Sequence, residues 1–177
     1  EIRKKILKIR KQNSSKKLRI DFNYILKILK KKKIYSKILG GYYPYNHEVD
    51  VIKILEKFEK KSYHVSLPKI KKNSQMEFFH WTNKDPLEIN KYGIPEPTSN
   101  KIKYPDILFT PLVAYDNNLN RLGYGGGFYD RYIEKIEKIK KVIKIGLAFS
   151  FQKISSIPIN QYDKRLDFII TEKEILR

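Results

Sequence analysis

The alternation of short apolar runs with amphipathic segments is the sequence feature that most limits the possible folds. Residues 106–110, DILFT, form an apolar run typical of a strand buried on both faces of a parallel sheet. Residues 38–43, 63–67, 76–81, 142–149 and 168–171 also predict strands. Helices are predicted over residues 1–12, 48–61 and 129–139, and over a segment with an apolar stripe whose N-cap is Ser14 or Ser15. The pattern predicts a single α/β domain over residues 1–177, with three αβα layers and a mostly parallel central sheet.

Two proline-containing segments are expected to interrupt this pattern. Pro68 is predicted to end the strand over residues 63–67, because proline has no backbone N–H to donate to a sheet. Residues 83–104, rich in Pro, Lys and Asn, predict the longest irregular stretch. Ligands of open parallel sheets bind at the carboxyl ends of the strands, so we expect the functional site at that edge.

The charge and composition limit the classes of partner. The formal net charge is +19, and basic surfaces bind nucleic acid by releasing counterions. The lysines are nevertheless spread along the whole chain without a recognisable reading helix, so nucleic acid is not expected as the main partner. The chain has no cysteine, which excludes disulfides and a cysteine nucleophile and favours a cytoplasmic location. No apolar run reaches the roughly 20 residues of a membrane span, so no membrane partner is expected.

The most informative motif is RLGYGGGFYD at residues 121–130. Its glycines allow several backbone N–H groups to approach one anion, although the segment is neither a Walker A loop nor a GxGxxG fingerprint. Arg121 suits phosphate oxygens and Asp130 suits magnesium, whereas Phe128 and Tyr129 suit a flat ring. A glycine run alone is equally consistent with a tight turn. The accompanying residues favour a phosphate site.

Together with DILFTPLVAYD at residues 106–116, this motif resembles the hallmark of the 5-formyltetrahydrofolate cyclo-ligase family. Tyr115 stands for the family's Phe and Phe128 for its Tyr, and both exchanges keep an aromatic ring. EIRKKILKIRK, YYPYNHEVDVIKIL, MEFFHW, YGIPEP and IPINQYDKRLDFIIT also resemble family segments. The resemblance implies a ligase that closes 5-formyltetrahydrofolate to 5,10-methenyltetrahydrofolate. It further implies that ATP and Mg²⁺ are required, that an iminium phosphate forms, and that ADP and phosphate are released.

The resemblance also implies roles for individual residues. Arg121 and Tyr129 are expected to be catalytic, and Asp130 and Asp163 to hold magnesium, although Asp163 could be an ordinary loop residue. The residues expected to bind ATP are Arg3, Arg121, Leu122, Gly123, Tyr124, Gly125, Gly126, Gly127, Phe128 and Tyr129. The family's ATP-binding lysine would precede Glu1, so we expect residues before the start of this sequence, and Arg10 matches a further basic position.

The expected folate-binding residues come from three segments of the chain. They are Tyr45, Glu48, Asp50, Trp81, Phe128 and Tyr129. Glu48 and Asp50 both remain candidates for the pterin-binding carboxylate, and Glu48 could instead be an acidic residue in the first turn of a helix. Trp81 could equally belong to the core. The expected partners are therefore ATP and 5-formyltetrahydrofolate, with or without a polyglutamate tail, and we expect a monomer.

Overall fold

A seven-stranded sheet forms the centre of the protein, seen here in a computed structural model that describes residues 1–16 and 18–177. The helices are α1 (Ile2–Gln12), α2 (Phe22–Lys31), α3 (Ile52–Glu59) and α4 (Phe128–Glu137). The strands are β1 (Ile38–Gly40), β2 (His64–Ile70), β3 (Met76–His80), β4 (Leu87–Ile89), β5 (Pro95–Pro97), β6 (Ile107–Thr110), β7 (Ala114–Tyr115), β8 (Arg121–Leu122), β9 (Ile143–Leu147), β10 (Phe168–Ile170) and β11 (Ile175–Leu176).

The central sheet is mostly parallel, as predicted. Its strand order is β11-β10-β9-β6-β1-β2-β3, and the five strands from β10 to β2 run parallel to one another. The edge strands β3 and β11 are antiparallel to theirs. Strands β4 and β5 form a separate hairpin, and β7 and β8 form another. Both hairpins were absent from the sequence prediction.

The side chains of β6 show why helices cover both faces of the sheet. Ile107 and Phe109 pack in one cluster with α2 and α3, whereas Leu108 packs in another with α4. All three side chains are fully buried, because successive residues of a strand point to opposite faces. The predicted three-layer arrangement is therefore confirmed. In the two described ranges, no helix is long and apolar enough to cross a membrane.

The start of the second helix differs from the prediction. Helix α2 begins at Phe22, and its N-cap is Asp21, whose carboxylate accepts a hydrogen bond from the Asn23 N–H at 2.9 Å. Ser14 instead donates its hydroxyl to the Lys11 carbonyl at 2.7 Å, in a short 3-10 turn after α1. Aspartate caps helices as well as serine does, so the choice of Ser14 or Ser15 was wrong. Lys17, within the predicted helical segment, lies outside the described residues.

The third helix is shorter than the predicted range of 48–61. It begins at Ile52, and Glu48 lies in the preceding loop. Asn46 and His47 have φ angles of 48° and 59°, which no right-handed helix contains. Glu48 is therefore not an acidic residue of a helix turn, and that interpretation was wrong.

Neither proline-containing segment behaves as predicted. Strand β2 passes through Pro68, which pairs with Phe78 of β3. The proline is tolerated because β1 pairs with β2 only as far as Ser66, so beyond that point β2 has one neighbour. Residues 83–104 contain the β4–β5 hairpin, which buried Glu96 ties to β2 by accepting a hydrogen bond from the Ile70 N–H at 3.2 Å.

The packing of α3 against α2 and the sheet depends on Phe58. Its ring lies edge-on to Phe22 at 4.9 Å and contacts Phe109 at 6.0 Å between centroids. We predict that Phe58→Ala lowers the free energy of unfolding by about 3–5 kcal/mol, measured by urea denaturation. Tyr35→Ala is the control, because Tyr35 is 79% exposed. Equal stabilities of the two variants would contradict this account of the core.

Candidate functional site

A cavity of about 810 Å³ opens at the carboxyl ends of β1, β2 and β6, the edge that the sequence predicted. Tyr42 follows β1, Ile70 ends β2 and Pro111 follows β6, and all three line the cavity. Its size is typical of small-molecule sites, which range over roughly 300–1,000 Å³. The charged lining residues are Arg3, Glu48, Arg121, Asp130, Arg131, Glu134 and Asp163.

The glycine loop, residues 123–127, connects β8 to α4 and forms one wall of the cavity. Gly125 and Gly127 have φ angles of 102° and 65°, where a side chain would be strained. The loop leads directly into the N-terminus of the ten-residue helix α4. Unpaired backbone N–H groups and the helix dipole both favour an anion there. This backbone is therefore suited to hold phosphate oxygens.

Both arginines that were expected to bind ATP lie beside the glycine loop. Arg3 of α1 donates its Nε–H to the Gly123 carbonyl at 2.8 Å. Arg121 forms an ion pair with Asp130 at 2.6 Å, and its side chain is only 5% exposed. Among the described residues, the Arg121 Nε has no hydrogen-bond partner, so its guanidinium keeps unused donor capacity. The two cations increase the preference of this wall for a polyanion.

Asp130 and Asp163 both line the cavity, as expected of magnesium ligands. Asp130 also accepts a hydrogen bond from the Lys164 N–H at 2.9 Å, and Asp163 accepts one from the Asn160 N–H at 2.7 Å. Within the described ranges, no group of three or more His, Cys, Asp or Glu residues could hold a metal by itself. Two carboxylates nevertheless fit Mg²⁺, which is often held by one or two carboxylates, water and substrate phosphates.

Glu48 provides a carboxylate with an altered pKa on another part of the wall. Burial raises the pKa of Glu48 to about 7. The Tyr45 N–H, which donates to this carboxylate at 2.8 Å, and the charge of Arg10 lower the pKa but do not cancel the effect of burial. Glu48 can therefore change its charge near neutral pH.

Two of the predicted folate-binding residues lie elsewhere. Asp50 is absent from the cavity wall, and its carboxylate pairs with Lys53 at 3.3 Å on the surface. Trp81 is 4% exposed and packs in the core cluster that includes α2 and α3. Every other predicted site residue lines the same cavity. The structure thus separates Glu48 from Asp50, which the sequence could not do.

Arg131 and Tyr92 are among the cavity-wall residues to which sequence reasoning assigned no role. Arg131 donates to the Gly126 carbonyl at 2.8 Å and to the Ser74 carbonyl at 2.9 Å, so it ties the glycine loop to the β2–β3 connection. Tyr92 lies edge-on to Phe128, with 6.0 Å between ring centroids. Arg131 directly follows the glycine-rich motif at residues 121–130, and extending that motif by one residue would have included it. Tyr92 is the first residue of YGIPEP, a segment that was recognised without a role for this tyrosine.

The raised pKa of Glu48 predicts a pH-dependent effect on stability. A carboxyl group whose pKa is higher in the folded protein opposes folding as the pH rises from about 4.5 to about 7. Glu48→Gln should therefore raise the melting temperature at about pH 8 by several degrees and leave it unchanged at about pH 4. Asp50→Asn is the matched control and should show no such difference. Calorimetry at both pH values provides the measurement, and equal shifts at both would contradict the burial of Glu48.

Comparison with known proteins gives a consistent result. Residues 1–172 match the 5-formyltetrahydrofolate cyclo-ligase family. The chain is 32% identical over 135 residues to the 5-formyltetrahydrofolate cyclo-ligase of Haemophilus influenzae, an alignment that covers 72% of each chain. It is 28% identical over 138 residues to the enzyme of that name from Escherichia coli, covering 74% of this chain and 75% of that one.

Two solved structures share the fold. The 5,10-methenyltetrahydrofolate synthetase of Aquifex aeolicus matches with a TM-score of 0.77 and 30% identity, covering 100% of this chain and 91% of that chain. The synthetase of Mycoplasma pneumoniae matches with a TM-score of 0.72 and 26% identity, covering 97% of each. The family match, the shared fold and the cavity at the expected edge lead to one conclusion: the chain is a ligase that belongs to the 5-formyltetrahydrofolate cyclo-ligase family.

Proposed function

We propose that this protein closes 5-formyltetrahydrofolate to 5,10-methenyltetrahydrofolate, using ATP and Mg²⁺ and releasing ADP and phosphate. The observation that carries the proposal is the pairing of two kinds of site in one cavity. The glycine loop with Arg3 and Arg121 suits a triphosphate, and Glu48 lines the same cavity. If ATP drives the reaction, a ligase that acts on 5-formyltetrahydrofolate requires a phosphate site and a folate site in the same cavity.

The chemistry explains why ATP is needed. The formyl group is an amide, and its oxygen is a poor leaving group. Attack of the formyl oxygen on the γ-phosphorus forms a C–O–P linkage, breaks the bond to ADP and gives an iminium phosphate. Nitrogen 10 then donates its electron pair to the formyl carbon and loses its proton. Phosphate departs with the C–O electron pair, which leaves the methenyl bridge between nitrogens 5 and 10.

In this proposal the protein contributes mainly position and charge. Phosphoryl transfer requires alignment of the attacking oxygen and stabilisation of charge on the phosphate oxygens. Arg3, Arg121 and the N–H groups of the glycine loop would supply both, because they lie on one wall of the cavity. The substrate's own oxygen is the nucleophile, so no nucleophilic side chain is required.

Asp130 and Asp163 are the residues that would hold Mg²⁺ together with the phosphates. When bound, the ion neutralises charge on the β- and γ-phosphate oxygens. Asp130 pairs with Arg121 in the free protein, which holds both side chains at the cavity before the nucleotide arrives. The residues therefore fit a magnesium–nucleotide complex better than a free ion.

Glu48 is the carboxylate that would bind the pterin ring. The ring presents an amino group and a ring N–H side by side, and a carboxylate accepts both in charge-assisted hydrogen bonds. Tyr45, Phe128 and Tyr129 line the same cavity and offer aromatic surface for the pterin and the adjoining ring. A polyglutamate tail would lie outside the cavity among the basic residues of this +19 chain.

Arg121→Ala tests the phosphate wall. Removing one preorganised donor to a transition-state anion costs about 3–4 kcal/mol, so we predict a loss of turnover of roughly a hundredfold or more. The assay follows the absorbance of methenyltetrahydrofolate in mixtures of enzyme, 5-formyltetrahydrofolate, ATP and magnesium. Arg19→Ala is the matched control on an exposed arginine, and circular dichroism checks that both variants fold. Near-normal turnover by Arg121→Ala would remove this residue from the mechanism.

Glu48 is tested by comparison with its neighbour Asp50. Glu48→Gln should raise the KM for 5-formyltetrahydrofolate by about 10- to 100-fold, the worth of a hydrogen bond to a charged group, and Asp50→Asn should leave it unchanged.

Because the bound pterin requires the carboxylate, the affinity of the wild type should fall as the pH drops below about 7. Titration calorimetry with 5-formyltetrahydrofolate measures this trend. A pH-independent affinity would show that another group binds the pterin.

A further inference from the structure

Arg10 is a buried cation that the proposed mechanism does not use. It lies in the last turn of α1, is 1% exposed and is absent from the cavity wall. One of its terminal nitrogens donates to the Leu112 carbonyl at 3.2 Å, and the same carbonyl accepts from Gln152 Nε2 at 3.0 Å. Arg10 is therefore fixed at the carboxyl end of the central strand β6. Burying a cation is costly unless it is well paired, so its partners are informative.

The second partner of Arg10 is Tyr124 in the glycine loop. The other terminal nitrogen of Arg10 donates to the Tyr124 hydroxyl. That hydroxyl in turn donates to the Tyr45 carbonyl at 3.4 Å, and the two tyrosine rings lie edge-on with 5.8 Å between centroids. Tyr124 therefore joins the glycine loop to the segment that carries Glu48.

Glu48 is affected by both members of this pair. The charge of Glu48 raises the pKa of the neighbouring tyrosines 42, 124 and 129, and Arg10 is the charged group that acts on Glu48 itself. The charge of Arg10 and the Tyr124 hydroxyl both lower the pKa of Glu48. The contact to the carboxylate runs through Tyr45, whose carbonyl accepts from Tyr124 and whose N–H donates to Glu48 at 2.8 Å. Burial and the charge of Glu48 raise the pKa of Tyr124 itself, so its hydroxyl keeps the proton that it donates.

We propose that Arg10 and Tyr124 are positioning residues that form a bridge from β6 to Glu48 and hold this carboxylate where the pterin binds. The proposal rests on the proposed function of the cavity. The bridge joins segments that are distant in the sequence, because Arg10 and Tyr124 are 114 residues apart. If Arg10 served only to attach α1, replacing Arg10 would have no influence on Glu48.

The first test requires no substrate. The difference in stability between the wild type and Glu48→Gln is measured as a function of pH. The measurement is then repeated with Tyr124→Phe present in both proteins. Loss of the Tyr124 hydroxyl should raise, by about one unit, the pH at which this difference in stability levels off. Arg10→Met should shift it in the same direction, and Arg10→Lys should shift it less. If Tyr124→Phe leaves that pH unchanged, the proposed bridge is wrong. This outcome does not depend on whether Arg10→Met folds.

The second test uses turnover. Tyr124→Phe should raise the KM for 5-formyltetrahydrofolate by about tenfold with kcat unchanged, and it should have no further effect when Glu48 is already Gln. Tyr35→Phe, at an exposed position, is the control. An equal rise in both backgrounds would show that Tyr124 acts on the substrate directly and would overturn the proposal. An inactive wild type would count against the proposed function alone, because the stability measurement still tests the bridge.

Discussion

The two-sided burial of the central parallel strands is the constraint on which the rest of the structure depends. Ile107, Leu108 and Phe109 of β6 are fully buried on alternating faces, so helices must cover both sides of the sheet. Because β1, β2 and β6 run parallel, their carboxyl ends lie at the same edge of the sheet. The loops after β1, β2 and β6 consequently meet at one edge, where the cavity opens.

Opposite charges are held close together at this edge before any ligand is present. Arg121 pairs with Asp130, and Arg3 is hydrogen-bonded to the glycine loop. Under the proposed function, such preorganisation would leave little rearrangement to be made when a magnesium–nucleotide complex enters. On another part of the wall, burial raises the pKa of Glu48 to about 7. The cavity therefore offers a cationic wall for phosphates and a titratable carboxylate for a ring that donates hydrogen bonds.

Local sequence was sufficient to identify those cavity residues that are consecutive in the chain. The glycine loop, Arg121 and Asp130 follow one another in the chain, and the structure brings them to one cavity. Glu48 and Asp50 could not be separated, because Asn46 and His47 are residue types that favour positive φ but do not determine which following carboxylate faces the cavity. Trp81 directly follows β3, and the pairing of that strand with β2 places it in the core. The contact between Arg10 and Tyr124 depends on tertiary structure alone.

The central claim is that ATP drives ring closure by phosphorylating the formyl oxygen within this cavity. The most direct test uses 5-formyltetrahydrofolate labelled with oxygen-18 in the formyl group, mixed with the protein, ATP and magnesium, followed by mass spectrometry of the released phosphate. The account predicts one labelled oxygen in each phosphate formed, in proportion to methenyltetrahydrofolate. Ring closure with unlabelled phosphate and label in water would contradict it, because the formyl oxygen would then never have been bonded to phosphorus.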